Sequence, residues 1–332
     1  MKRPWALPLV PLYAVGIALR SASLRLGLER VQRLTWPVVS IGSVSAGGAG
    51  KTPFVIALAR LLKSQDLHLD VLSRGYGRST SAPTAVNPNG SAKSYGDEPL
   101  LIAREADVPV YVAARRFDAG TLAETTAAQS GITKGIHLLD DGFQHRQLAR
   151  DIDIVLVSSE DVEDSLLPAG NRRESLSALK RAHVLAVSAG NHAAIEQLRG
   201  MDLQQPIWLY RREMIVPPKA LETPALAFCG IARPSQFFSG LERAGVTLTA
   251  THAFPDHHPF APRDLKMLQR LASKSGANSL ITTPKDHVRL AALADELTRE
   301  IPLHTADLRV VLEDEPDIVA WLQTVLPPAS SL

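Results

Sequence analysis

Short apolar runs alternate with segments of helical periodicity along most of the chain, from about residue 35 onward. The apolar runs predict strands at 38–41, 69–73, 108–112, 136–140, 152–157, 183–187, 225–228, 247–250, 279–282 and 308–312. The periodic segments predict helices at 52–64, 98–105, 119–129, 176–181, 234–244 and 262–273. Strands that alternate with helices are typical of an α/β fold with a mainly parallel sheet.

A proline-containing stretch at 214–222 interrupts this alternation. The 332 residues are too many for one ordinary core, so we place a domain boundary in this stretch. The pattern therefore predicts a larger domain over 35–216, with helices on both faces of its sheet. It also predicts a smaller α/β domain over 217–332 and a separate amino-terminal segment over 1–34.

The amino-terminal segment is apolar and then basic. Residues 4–19 are almost wholly apolar, but Pro4, Pro8 and Pro11 interrupt them, so a simple transmembrane span is not expected. A signal peptide is not expected either, since no clear cleavage site follows. Residues 21–34 separate apolar from basic side chains on a predicted helix. This helix either packs on the protein's own core or enters an anionic membrane leaflet, and we favour the membrane.

Charge is concentrated in the same segment. Residues 1–33 hold six basic residues and one acidic residue, whereas the whole chain carries a net charge of +2. The rest of the chain is therefore slightly acidic, which argues against a general nucleic-acid binder. The single cysteine, Cys229, excludes an internal disulfide and a Cys-based zinc site, and it fits a reducing compartment.

The strongest chemical signal is a glycine-rich turn between the strand at 38–41 and the helix that follows. It comprises Ser45, Ala46, Gly47, Gly48, Ala49, Gly50, Lys51 and Thr52. The run matches the phosphate-binding loop G-x-x-x-x-G-K-[ST], except that Ser45 stands at the first glycine position. We expect Lys51 to reach the β- and γ-phosphates of a nucleotide and the Thr52 hydroxyl to bind Mg²⁺.

Two adjacent carboxylates, Asp140 and Asp141, lie at the end of the predicted strand at 136–140. Proteins with this loop usually hold magnesium with an Asp at the end of a hydrophobic strand. We predict that Asp140 is that ligand and that Asp141 faces both the metal and the acceptor. Asp141 also has a structural interpretation, because an Asp before Gly142 favours a turn. ATP is favoured over GTP because the chain has no Asn-Lys-x-Asp loop.

Two other groups allow both a structural and a catalytic interpretation. Asp97 either caps the predicted helix at 98–105 or activates an acceptor hydroxyl. His257 lies in Phe-Pro-Asp-His-His at 254–258, which is a surface turn or part of a site. A zinc site is not expected, because the chain has one cysteine and no HExxH motif.

In combination, these motifs resemble the tetraacyldisaccharide 4'-kinase family of lipid A biosynthesis. The resemblance covers most of the chain and rests chiefly on the loop that begins with Ser, together with Asp-Asp-Gly-Phe-Gln-His at 140–145. Other matching segments are 73–78, 96–99, 167–170 with 173–174, 254–257 and 282–290. The resemblance implies a P-loop NTPase-type sheet in the larger domain and a smaller domain that closes over the active site.

The resemblance also implies a reaction and a set of roles. ATP, with Mg²⁺, would give its γ-phosphoryl group to the 4'-hydroxyl of a tetraacylated glucosamine disaccharide 1-phosphate, forming lipid IVA. Asp97 and His257 would act on the acceptor hydroxyl, with Lys51 and Asp141 at the reacting centre. The residues expected on the substrate side are Arg74, Arg78, Gln144, His145, Arg173 and Glu174.

Such an acceptor remains in a bilayer because of its acyl chains. The resemblance thus implies a monomer at the cytoplasmic face of the inner membrane, bound to the anionic surface through its amino-terminal segment. The alternative is a P-loop switch ATPase or chaperone that hydrolyses nucleotide to drive partner binding.

Three positions depart from the family pattern. Ser43 replaces a common Asn, Asn171-Arg172 replaces a Pro-Leu-like pair, and Pro284 replaces a Glu. None of these changes removes an expected phosphate or metal ligand.

Overall fold

Two β-sheets organise the molecule, and the computed structural model describes residues 3–47 and 50–326. The strands are β1 (Val38–Ser43), β2 (Leu69–Ser73), β3 (Thr84–Ala85), β4 (Val110–Val112), β5 (Ile136–Asp140), β6 (Ile152–Val157), β7 (Val184–Ser188), β8 (Ile207–Ile215), β9 (Ala225–Cys229), β10 (Leu248–Ala253), β11 (Ser279–Thr282), β12 (Leu303–Thr305) and β13 (Asp307–Leu312). The α-helices are α1 (Val10–Arg25), α2 (Lys51–Lys63), α3 (Ala92–Tyr95), α4 (Asp97–Glu105), α5 (Arg116–Gln129), α6 (Ser159–Glu163), α7 (His192–Arg199), α8 (Pro234–Arg243), α9 (Pro262–Ser275), α10 (Pro284–Leu290), α11 (Ala292–Glu300) and α12 (Glu315–Val325). Short 3₁₀ helices lie at Pro4–Leu9, Leu176–Arg181 and Pro218–Leu221.

The larger sheet has nine strands in the order β13-β8-β7-β6-β1-β5-β2-β4-β3. All its neighbours pair in parallel except β3 with β4 and β13 with β8, which are antiparallel. The smaller sheet has the order β10-β9-β11-β12, and every pair in it is parallel. The predicted α/β class with a mostly parallel sheet is confirmed.

Each sheet is covered by apolar side chains on both faces. Alternate residues of β1 enter different clusters: Val39 and Ile41 pack on one face, with α2, α4 and α12, and Val38 packs on the other, with α5. This alternation follows from the two-residue period of a strand. The smaller sheet repeats it, with α9 and α11 on one face and α8 on the other.

The last predicted strand was assigned to the wrong sheet. We expected 308–312 in the smaller domain, but β13 pairs with β8 at the edge of the larger sheet. The sequence did not predict β8, because Arg211, Arg212 and Glu213 interrupt its apolar pattern. Such a half-buried strand, parallel to β7 on one side and antiparallel to β13 on the other, carries a weaker apolar signal than a strand buried on both faces. The chain therefore enters and leaves the smaller sheet through neighbouring strands.

The amino-terminal helix lies earlier in the chain than predicted. It runs from Pro4 to Arg25 as a 3₁₀ turn followed by α1, and the helix expected at 21–34 ends before Gly27, whose φ is +71°. Pro8 lies in the 3₁₀ turn and Pro11 in the first turn of α1, where a missing N–H costs little. The prolines lie in the first half of the apolar run, as noted from the sequence, and the α-helix itself begins only at Val10, after the 3₁₀ turn.

This helix is exposed along one face. Among the described residues, the helix at 4–25 is long and apolar enough to cross a membrane, judged by length and composition alone. None of the residues in its 18-residue apolar window is buried. Large apolar side chains on the 3₁₀ turn, on α1 and in the segment that follows are about half or more exposed: Trp5, Leu7, Leu9, Leu12, Val15, Leu19, Leu26, Leu28 and Val31. We call this set the amino-terminal apolar surface. Its exposure argues against a helix packed on the protein's own core.

Candidate active site

The phosphate-binding loop joins the carboxyl end of β1 to the amino terminus of α2. β1 is buried along its whole length in the middle of the larger sheet, so the loop leaves from a fixed point. Gly47 and Gly50 have φ of +70° and +81°, which favours glycine. A β-carbon at Gly50 would lie 2.9 Å from a guanidinium nitrogen of Arg212. The predicted loop residues Gly48 and Ala49 lie outside the described residues.

Lys51 is held by two oxygen atoms beside the loop. Its Nζ lies 3.3 Å from Ser43 Oγ and 3.3 Å from Asp141 Oδ1. The Ser43 hydroxyl in turn donates to the carbonyl of Ser45 at 2.8 Å. Ser43 thus links the loop backbone to the lysine.

The two carboxylates after β5 have opposite electrostatic environments. Asp140 is buried, and burial together with the charges of Glu98 and Asp141 raises the pKa of Asp140 to about 7. Burial also acts to raise the pKa of Asp141, but the charges of Lys51 and Arg173 hold it below its usual value. Arg173 Nη1 donates to Asp141 Oδ2 at 2.9 Å.

This crowding of carboxylates fits a magnesium site. Within 3–47 and 50–326, no group of three His, Cys, Asp or Glu side chains converges to hold a metal by itself. Magnesium does not need such a group, since it binds through one or two carboxylates and keeps water or phosphate oxygens as its other ligands. Thr52, Asp140 and Asp141 are therefore suitable for Mg²⁺ bound together with a nucleotide.

Asp97, at the start of α4, is buried against cationic side chains that follow strands of the smaller sheet. Its Oδ2 lies 3.1 Å from His257 Nδ1 and accepts from Arg289 Nε at 2.7 Å. Burial acts to raise the pKa of Asp97, but the hydrogen bond with His257 and the charges of Lys285 and Arg289 hold it well below its usual range. The same hydrogen bond raises the pKa of His257. The two side chains are in contact, and their catalytic role remains a prediction.

Arg289 is itself held in place from the smaller sheet. Its Nη1 donates to the carbonyl of Gly230 at 2.6 Å and to Asp286 Oδ1 at 2.8 Å. Asp286 is fully buried and also accepts from the Thr283 hydroxyl at 2.7 Å. The sequence placed 282–290 in a matching segment without roles, because the spacing does not show that Arg289 reaches Asp97.

Besides the contacts of Asp97 with Arg289 and His257, two more ion pairs connect elements of the larger sheet with elements of the smaller one. Lys285 pairs with Glu98, next to Asp97, and Arg233 pairs with Glu160 at 2.8 Å. Between the two sheets lies a cleft of about 1450 Å³, which Lys51, Asp141 and His257 all line. The structure thus brings Lys51, the acidic pair and His257 to one cavity. Asp97 is not among the described residues that line it and lies behind His257, which it contacts.

The residues expected on the substrate side divide into two groups. Arg74 and Arg173 line the cleft. Arg78, Gln144, His145 and Glu174 are not among the described residues that line it. Arg78 donates to the carbonyl of Ala82, Gln144 to that of Ser43, and Glu174 pairs with Arg181. Burial and the charge of Arg116 lower the pKa of His145 to about 4, so His145 is neutral at neutral pH.

The amino-terminal helix contacts the same region. The Tyr13 hydroxyl donates to the carbonyl of Arg173 at 3.3 Å, and Arg20 donates to that of Gln144 at 3.4 Å. The helix is therefore attached beside the acidic pair and not at a remote edge of the fold.

Comparison with known proteins gives one consistent result. Residues 3–327 match the family described as Tetraacyldisaccharide-1-P 4'-kinase. The tetraacyldisaccharide 4'-kinase of Koribacter versatilis is 41% identical over 315 residues, which cover 92% of this chain and 94% of the relative. That of Geobacter metallireducens is 35% identical over 330 residues, 95% of each chain.

A solved structure agrees. The crystal structure of LpxK from Aquifex aeolicus, described as an "apo" form in complex with ATP, has a TM-score of 0.75 to this structure. The two chains are 30% identical, and the match covers 97% of this chain and 98% of that one. The match thus includes both sheets and the amino-terminal helix. With the loop, the acidic pair and the Asp97–His257 contact all present, the chain belongs to the tetraacyldisaccharide 4'-kinase family.

Proposed function

We propose that the chain transfers the γ-phosphoryl group of ATP to the 4'-hydroxyl of a tetraacyldisaccharide 1-phosphate, forming lipid IVA. The observation that carries this proposal is the contact between Asp97 and His257 at the cleft that Lys51 also lines. A carboxylate–imidazole pair opposite a phosphate-binding loop suits the activation of an acceptor hydroxyl. The relatives are named tetraacyldisaccharide 4'-kinases, which supports the same reaction and does not favour the switch ATPase alternative.

Each side chain has a distinct task in this reaction. Lys51 binds the transferred phosphoryl group and neutralises its developing charge. Asp97 accepts the proton of the 4'-hydroxyl at a carboxylate oxygen, and His257 orients that carboxylate through Nδ1. Mg²⁺, held by Thr52, Asp140 and Asp141, would supply further charge neutralisation when bound. Closure of the smaller domain, supported by the ion pairs across the cleft, excludes water from the phosphoryl group.

A labelled-phosphate assay tests the proposed function. Purified protein is mixed with ATP labelled at the γ-phosphate, Mg²⁺ and the disaccharide acceptor in neutral detergent micelles. We expect the label in the lipid product, at the 4' position. Label that appears only as inorganic phosphate in the presence of acceptor contradicts the proposal and favours the ATPase alternative.

We also propose that the protein binds the cytoplasmic face of the inner membrane as a peripheral or monotopic protein through its amino-terminal segment. The amino-terminal apolar surface supports this, since an acyl phase would cover it. The basic residues of the segment suit anionic headgroups. The hydrogen bonds from Tyr13 and Arg20 to the carbonyls of Arg173 and Gln144 support the same proposal, because the side chain of Arg173 lines the cleft.

Replacement of two exposed leucines tests this attachment. Leu12 and Leu19 are 72% and 66% exposed, so Leu12→Glu with Leu19→Glu leaves the core unchanged. We expect co-flotation with anionic vesicles to fall roughly 10-fold or more, because each leucine loses apolar transfer free energy. The control is Leu221→Glu. Leu221 is an exposed leucine in the segment that connects the larger sheet to the smaller one, so this variant should co-float with vesicles as the wild type does. Equal flotation of the double variant and the wild type would contradict the proposed attachment.

A further inference from the structure

A fully buried carboxylate beside the smaller sheet has no part in the proposed reaction. Asp286 has no exposed surface and is not among the described residues that line the cleft. Its Oδ1 accepts from Arg289 Nη1 at 2.8 Å. Its Oδ2 accepts from the amide of Gly230 at 3.0 Å and from the hydroxyl of Thr283 at 2.7 Å. Burial of a charged group is costly unless donors surround it, so these donors hold the carboxylate in one orientation.

The local sequence explains where this carboxylate points. Thr283 caps α10 by accepting from the amide of Asp286, and Pro284 is the first residue of the helix. Arg289 follows Asp286 by three residues, a spacing that brings two side chains of one helix together. Lys285, four residues before Arg289, also pairs with an acid of α4. The helix α10 therefore turns two cations toward α4 and keeps its carboxylate against the end of β9.

The first connection from this carboxylate runs through a guanidinium to Asp97. Arg289 is only 7% exposed, and it binds Asp286 through Nη1 and Asp97 through Nε and Nη2. Because a guanidinium is a planar fork of donors, acids on two of its sides fix its orientation. Loss of the Asp286 charge would leave Arg289 with one acid partner and more freedom to move relative to Asp97.

The second connection runs through a backbone turn to His257. Gly230 follows β9, and while its amide donates to Asp286, its carbonyl accepts from the amide of His257 at 3.1 Å. A β-carbon at Gly230 would lie 3.1 Å from the carbonyl oxygen of Pro255, so the two chain segments pack closely. His257 has a φ of +57°, which a residue other than glycine adopts only with support from its surroundings. The Gly230 carbonyl supplies part of that support.

Both connections end on the two side chains proposed to act on the acceptor hydroxyl. Oδ2 of Asp97 lies 3.1 Å from Nδ1 of His257, and this contact joins elements of different sheets. Misplacement of a reacting group by about 1 Å lowers a rate roughly 10²-fold. Asp286 can therefore control the rate without contact with ATP or the acceptor.

We propose that Asp286 is a positioning residue for the contact between Asp97 and His257. It holds the guanidinium of Arg289 toward Asp97, and it holds the backbone turn that carries His257. The matching segment at 282–290 thereby gains a role. This inference rests on the proposed function, because it concerns how the same two side chains are placed for proton transfer.

Asp286→Asn tests the proposal. Asparagine keeps the shape of the side chain but removes its charge, and Arg289 keeps Asp97 as an acid partner. The readout is transfer of labelled γ-phosphate to the tetraacyldisaccharide 1-phosphate in neutral detergent micelles. We expect kcat to fall roughly 10- to 100-fold, as for a misplaced reacting group. The KM values for ATP and for the acceptor should not change, because the proposal gives Asp286 no contact with either.

Asp153→Asn is the matched control. Asp153 is buried and pairs with an arginine three residues earlier, as Asp286 pairs with one three residues later. It lies near the amino-terminal end of β6, whereas the phosphate-binding loop and the acidic pair lie at the carboxyl ends of β1 and β5. We expect both variants to have lower melting temperatures, because each removes an acid partner of a buried guanidinium. Only Asp286→Asn should also lose kcat.

Two further variants separate positioning from folding. His257 is partly exposed, so His257→Gln removes the imidazole and leaves the core intact. If Asp286 acts through His257, Asp286→Asn should lower kcat much less in the His257→Gln background than in the wild type. Thr283→Val removes one donor to Asp286 and keeps the charge, so it should lower kcat by a smaller factor. Thr283→Val also provides the test if Asp286→Asn does not fold.

Four outcomes would overturn the inference and leave the proposed function intact. The first is a wild-type kcat for the folded variants at Asp286 and Thr283, which would restrict Asp286 to folding. The second is a change in KM alone, and the third is an equal loss of kcat in Asp153→Asn. The fourth is a double variant in which the losses from Asp286→Asn and His257→Gln simply multiply. If the wild type does not phosphorylate the acceptor, the proposed function fails, and this inference fails with it.

Discussion

Asp97→Asn is expected to lower turnover roughly 10²- to 10⁴-fold and to leave ATP affinity nearly unchanged. Asparagine keeps the shape of the side chain but cannot accept the proton of the acceptor hydroxyl. The contacts with His257 and Arg289 keep Asp97 ionised at neutral pH, so its carboxylate is in the form that can accept a proton. ATP affinity should persist, because the phosphate-binding loop follows a different strand.

The measurement is kcat with the disaccharide acceptor, together with the Kd for ATP. Asp97→Asn removes one of the two acid partners of the buried Arg289 and leaves Asp286 as the other, so we expect a lower free energy of unfolding and assay well below the melting temperature. Asp107→Asn is the control, since that carboxylate is 92% exposed and pairs only with Lys63 at the surface. Near-normal turnover of Asp97→Asn would remove Asp97 from the role of base.

The central strands could be predicted from the sequence because they are buried on both faces. β2, β5, β6 and β11 have the predicted bounds, and each is rich in apolar residues and buried along its whole length. β8 could not be predicted in this way, because its exposed face carries charged residues. The partner of β13 depends on that missing strand, which explains why β13 was assigned to the smaller sheet.

The amino-terminal helix shows a different limit. The segment 21–34 has helical periodicity, yet a local pattern does not decide where a helix ends. The positive φ of Gly27 ends it here, and Leu34 instead packs closely against Gly120 of α5. Periodicity gave the apolar and basic character of the segment correctly but placed its helix too late.

The candidate site was predictable only where its residues are near one another in sequence. The loop at 45–52 and the acidic pair follow from spacing and from the strands that precede them. The contact between Asp97 and Arg289 joins residues 192 positions apart, so it depends on how the two sheets pack together. Asp286 gave no signal of its own, because one acid in the first turn of a helix is ordinary until its burial is known.

Lys51→Ala is expected to lower kcat about 10²- to 10³-fold, the usual loss when one preorganised donor to a developing negative charge is removed. The Lys51 side chain is only 12% exposed, so water screens its charge weakly. The change also removes one of the two cations that hold the pKa of Asp141 low, leaving Arg173 as the other. We therefore expect weaker ATP binding as well, in contrast to Asp97→Asn.

The same helix supplies the control for this variant. Lys63 is the last residue of α2, is about half exposed and pairs with Asp107, so Lys63→Ala removes an equal charge from α2 at the end far from the loop. If Lys51 acted only through the long-range electrostatic potential of a positive charge on α2, Lys51→Ala and Lys63→Ala would lose similar activity. A large loss for Lys51→Ala alone assigns the effect to its contacts with Ser43 and Asp141 at the loop. A kcat within a few-fold of the wild type would instead show that Lys51 does not reach the transferred phosphoryl group.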